Sequence, residues 1–108
     1  MAGLGADLAG CLAEDEVLSG VVLEGTTLTV VFDFSQTDFG LLPEEDLVLS
    51  RASGVTDKIL EHSELDAAWD TVYLDFGAIG HIELGKSAIK TNDYGMRYMD
   101  STQFQLSK

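Results

Sequence analysis

Basic residues are absent from the first half of this chain. Lys and Arg number six in 108 residues, and none precedes Arg51. There is one cysteine, Cys11, one proline, Pro43, and one tryptophan, Trp69. Each scarcity excludes something. A lone cysteine rules out an intrachain disulfide framework. A single proline, with no Gly/Ser-rich stretch, leaves no linker, so residues 1–108 read as one domain. No apolar run reaches the roughly 18 residues that a spanning helix needs. The start, Met1-Ala2-Gly3-Leu4-Gly5-Ala6-Asp7, lacks the basic segment of a secretory signal, so a cytoplasmic protein is expected.

Chemistry-bearing motifs are scarce as well. The glycines form neither a Gly-x-Gly-x-x-Gly nor a phosphate-loop pattern, and no Gly-x-Ser-x-Gly elbow occurs. His62 sits between Glu61 and Glu64, and His81 precedes Glu83 by two residues. Two scattered histidines do not supply the three or four ligands of a zinc site. Asp33 to Asp38 and Asp66 to Asp70 lack the alternating acids and the glycine of an EF-hand loop. Cys11, on the apolar side of a predicted helix, reads as inert packing rather than as a nucleophile. No metal, cofactor or catalytic residue is expected, and the chain does not read as an enzyme.

Acid is what the chain has in excess. Nineteen Asp and Glu give a formal net charge of −13. Residues 1–50 hold ten of these acids and no compensating base. Such a field repels nucleic acid and anionic membranes, which are bound through basic contacts, and draws in basic partners. It also keeps a small protein dispersed, and a solvated acidic face is the plainer reading.

Hydrophobic residues make up 45% of the chain, enough for a core. Leu4, Leu8, Cys11 and Leu12 recur at helical spacing over residues 4–13. Leu28, Val30, Phe32 and Phe34 alternate with Thr27, Thr29, Val31 and Asp33, the period-two pattern of a half-buried strand. Val17 to Leu23 is its hairpin partner across a turn at Glu24-Gly25-Thr26, with Gly20 suited to a bulge. Ser35 to Gly40 reads as a loop. Pro43 followed by Glu44, Glu45 and Asp46 suits a helix start. Leu47 to Leu49 is ambiguous, Ser50 to Gly54 looks loop-like, and Ser63 with Asp66 resembles a capping box for a brief helix through Trp69. Val72, Leu74 and Phe76 alternate again. The segments 81–84, 87–91, 96–99 and 102–106 are further candidate strands. Thr29-Val30-Val31-Phe32-Asp33-Phe34 is echoed by Thr71-Val72-Tyr73-Leu74-Asp75-Phe76, which strand patterning alone explains.

The expectation is an α+β domain with a mainly antiparallel sheet of five to seven short strands, an N-terminal helix and a short central helix. Its expected role is that of an acidic interaction module, an inhibitor or sequestering partner of a basic, nucleic-acid-handling protein. Immunity proteins for nuclease toxins and phage inhibitors of defence nucleases are of this physical type. The expected partner-binding residues are Asp33, Asp38, Glu44, Glu45 and Asp46, five acids within fourteen positions, with Trp69 as an aromatic anchor, packing of Trp69 into a small core being the plainer alternative. Phe39, Leu41 and Leu42 offer apolar contact area inside that rim. No direct nucleic-acid binding is expected. The alternative is a structural or assembly subunit that acts by homo-oligomerisation through its strands.

Overall fold

A computed structural model describes residues 2–13, 15–35, 40 and 43–107. Helix α1 (Ala2–Ala9) precedes a hairpin of β1 (Val17–Glu24) and β2 (Thr27–Asp33). Helix α2 (Glu44–Glu61) then leads to β3 (Thr71–Asp75) and β4 (His81–Gly85), and a second hairpin joins β5 (Ile89–Thr91) to β6 (Arg97–Met99). The fold is α+β, with a four-stranded sheet in the order β1-β2-β3-β4 and a separate β5-β6 pair.

The β1–β2 hairpin follows from its turn chemistry. Only Gly25 and Thr26 connect the strands, and Gly25 has φ +60° while Thr26 stays at negative φ. That combination is the type II′ pattern, whose twist matches the flanking strands. The register slips between Leu18 and Gly20, so the expected bulge is present and centred on Ser19. In β2 the alternation resolves as expected: Leu28, Val30 and Phe32 are buried, while Thr27, Thr29 and Val31 are half-exposed.

The two echoed segments lie side by side. β2 and β3 pair in parallel, with Val30 opposite Leu74 and Leu28 opposite Val72. A parallel pair needs a crossover of a dozen residues or more, and α2 supplies it. The sheet is therefore mixed, with antiparallel β1–β2 and β3–β4 flanking one parallel pair. Leu28, Val30, Phe32, Val72, Leu74, Ile82 and Leu84 form one core with Leu4 and Leu8 of α1 and with Val48, Ala52, Val55 and Ile59 of α2. Burying each large side chain is worth about 1.5–3 kcal/mol, which is why weakly helical segments hold their shape here.

Three sequence expectations need correction. Ser50 to Gly54 is not a loop; it lies inside α2, an 18-residue helix whose buried face runs from Leu47 to Leu60. Its buried Thr56 satisfies itself, donating its hydroxyl to the Ala52 carbonyl at 2.9 Å. The helix expected from Ser63 through Trp69 is a single 3-10 turn at Ser63–Leu65 with no side-chain cap. Residues 102–106 form no strand: a 3-10 turn at Ser101–Gln103 is followed by three residues of irregular chain, and Ser107 alone bridges to His81. That bridge lies against Gly80, at φ +139°, where an added Cβ would come within 2.5 Å of the Ser107 carbonyl.

Candidate functional site

Strand β2 and helix α2 bring two of the expected partner-binding residues together. Asp33 ends β2, and Glu44 opens α2. Both line a cleft of about 520 Å³ whose walls include Phe34, Phe76 and Ile79. Asp33 accepts the Ser35 amide at 2.9 Å, and hydrogen bonds from the Ser35 hydroxyl and amide hold its carboxyl below its ordinary value. It is therefore an anion throughout the neutral range.

Glu44, Glu45 and Asp46 occupy the first turn of α2, directly after Pro43, and all three are exposed. Local physics accounts for their presence there. The first turn of a helix offers unsatisfied N–H groups and the positive end of the dipole, and carboxylates stabilise it. Among the described residues, neither they nor Asp33 enter an ion pair. The nearest base in sequence, Arg51, is engaged elsewhere. Its Nε and Nη2 donate to Glu16 at 2.5 and 3.0 Å, and the Glu16 side chain is only 2% exposed. The guanidinium thus anchors the segment before β1 and leaves the acids of the α2 N-terminus unneutralised.

One expected site residue, Trp69, does not join this cluster. Asp38 lies outside the described residues, as do Phe39, Leu41 and Leu42. Trp69 is not a surface anchor: it is 1% exposed and belongs to the core. It precedes β3 at the opposite end of the sheet from Asp33, because β2 and β3 run parallel. Its ring carries Lys86 Nζ 5.2 Å from the centroid, and that ammonium also donates to the Asp66 carbonyl. A large aromatic next to Asp66 and Asp70 can read as an interface anchor in sequence; the apolar cluster that buries it, and the lysine over its ring seventeen positions later, come from distant segments.

The histidines take structural positions. His62 Nε2 meets Asp7 at 2.6 Å and Nδ1 meets Glu64 at 2.8 Å. These two carboxylates raise its pKa above the ordinary value, Asp7 contributing most. His81 stacks on Tyr73, with ring centroids 5.0 Å apart. Among the described residues, no three His, Cys, Asp or Glu side chains converge as a metal site. Cys11 is half-buried, and burial raises its thiol pKa above the ordinary value. It lies within weak hydrogen-bond reach of the Asp7 and Gly54 carbonyls, at 3.6 and 3.7 Å.

One surface was missed in the sequence. β1 is an edge strand carrying exposed Val17, Val22 and Leu23. The signal was the uncharged run from Val17 to Leu23, which reads equally well as a strand covered on both sides. Among the described residues, no helix is long and apolar enough to cross a membrane. Comparison with protein-family models, with curated proteins and with solved structures finds no match.

Proposed function

We propose that this chain is a small acidic interaction module that binds a basic, nucleic-acid-handling protein and inhibits or sequesters it, its carboxylates standing where phosphates would lie. The observation that carries this reading is the group Asp33, Glu44, Glu45 and Asp46. These are exposed anions at one end of the sheet, in a half of the chain whose ten acids face no Lys or Arg of their own segment. Clustered like charge is repulsive in the free protein, and a cationic partner relieves it. The same field raises encounter rates by about 10- to 1,000-fold and falls with salt.

The test is kinetic. The partner is captured from the native host and identified, and its association rate is followed over a range of salt concentrations. The variant E44Q/E45Q/D46N slows association and flattens the salt dependence, with the circular dichroism spectrum unchanged. If both quantities stay the same, the acids serve the helix N-terminus and solubility, and the reading is dropped.

A second reading, assembly through self-association, draws support from the exposed apolar edge of β1. Its signature is a sedimentation coefficient that rises with protein concentration.

A further inference from the structure

The two edges of the main sheet are treated differently. At the β4 edge the chain guards itself: the His81 amide donates to the Ser107 carbonyl at 2.7 Å, and the Ser107 amide returns to His81 at 2.8 Å. At the other edge, the described residues offer β1 no backbone partner besides β2. An edge strand exposes a row of N–H and C=O groups, and proteins usually blunt it with Lys, Pro or an inward charge. Residues 17–23 contain none of these. The Ser19 bulge disturbs only the start of the strand. From Gly20 to Glu24 the register with β2 is continuous over five residues. Along this stretch Val22 is 47% exposed and Leu23 37%, and nothing lies within 4 Å of where a Gly20 Cβ would be.

The geometry points to β1 as the place where a partner protein adds a strand: an extended segment with alternating apolar side chains and basic residues at its ends. This mode of binding rests on the acidic-module reading and gives it a docking element. Main-chain hydrogen bonds along the edge supply affinity, and the side chains of alternate residues supply selectivity. The charges choose the occupant. Asp33 lies opposite Val17 at one end of β1, and Glu24 closes the other end; both are exposed. The two carboxylates share one face of the sheet, because Asp33 and Thr27, the partner of Glu24, are six residues apart on β2. Six steps span on the order of 20 Å, so cations about six residues apart in the added strand face both carboxylates. A second copy of this chain meets the opposite condition. β1 belongs to the half with ten acids and no base, and pairing two such edges sets like charge against like charge.

The test uses the uniformly labelled protein and a blocked heptapeptide, Lys-Val-Thr-Val-Thr-Val-Lys, with a control carrying Glu in place of both lysines. Amide resonances of Val17–Glu24 shift on titration with the lysine peptide, and their hydrogen exchange slows. The glutamate peptide binds at least tenfold more weakly, added salt weakens the lysine peptide, and Val22→Lys reduces its affinity at least tenfold while the protein remains folded. Equal binding of both peptides overturns the basic occupant. Shifts confined to Asp33 and Glu44–Asp46, or no shifts at all, overturn strand addition. Protection of β1 without peptide, together with a dimer that salt strengthens, gives the edge to a second copy and overturns the proposal. Failure of the acidic-module reading itself appears separately, as partner association indifferent to E44Q/E45Q/D46N.

Discussion

Phe32 and Phe76 stack nearly face to face, their ring centroids 4.8 Å apart and their planes inclined by 9°. One comes from the end of β2, the other from just beyond β3. Phe34 completes the group at 5.8 and 5.6 Å from its two neighbours. The trio closes the core beneath the cleft that Asp33 and Glu44 line.

Phe32→Ala is expected to cost about 3–5 kcal/mol, the range for emptying a buried aromatic position. A double-mutant cycle with Phe76→Leu should show coupling of about 0.5–1.5 kcal/mol, because the ring pair adds to its area burial. Urea denaturation of the single and double variants measures both. Additive effects would mean that the rings act only through buried area.

The Glu16–Arg51 pair predicts an asymmetric response. Arg51→Met strands a carboxylate that is almost wholly buried, at a cost of about 2–3 kcal/mol. Glu16→Leu combined with Arg51→Met should recover much of that loss, since a buried pair replaced by apolar groups is often neutral. Chemical denaturation checks it; equal stability of the single and double variants would show that Arg51 acts by packing alone.

His62 predicts a pH dependence of stability. It joins α1 to the end of α2 through Asp7, and its folded pKa is raised by Asp7 first and Glu64 second. A cation favoured in the folded state stabilises fully below the unfolded value of about 6.5. That contribution is lost as pH rises through the raised folded value. Stability should therefore fall on going from pH 6 to pH 8.5, and His62→Gln should flatten this slope. Thermal melts across the range, with the imidazole followed by NMR, measure it. An unchanged slope in the variant would assign the dependence elsewhere.

Nucleic acid should not bind. The net charge is −13, and the first basic side chain, Arg51, is engaged by Glu16. A gel-shift titration to micromolar protein with duplex and single-stranded oligonucleotides should show no complex at physiological salt. A shift that weakens with added salt would contradict the charge argument.

How much of this molecule was legible beforehand follows from the range of the forces involved. Alternation at Leu28, Val30 and Phe32, and again at Val72 and Leu74, is written in neighbouring residues, so both strands and their buried faces were readable. So were the Gly25 turn and the helix start at Pro43, each decided by one residue's backbone preference. The excess of acid, and its concentration before Arg51, is likewise a property of the sequence alone.

Tertiary structure decided the rest. Ser50, Ser53 and Gly54 are poor helix formers, and only the packing of Val48, Ala52, Val55 and Ile59 against the sheet keeps them helical. Once that helix exists it serves as a crossover, and β2 and β3 become parallel neighbours, a pairing that no local pattern specifies. Trp69 reads in sequence either as a surface anchor beside its acidic neighbours or as core packing, and the apolar cluster it joins, with Lys86 seventeen residues further on over its ring, decides for the core. Ser107 returns to cover the edge of β4, whereas the described residues give the edge of β1 no such partner. Propensity and charge act over a few residues and can be read in order. Partner choice across a sheet and closure around a side chain depend on segments far apart in the chain, and folding alone brings these together.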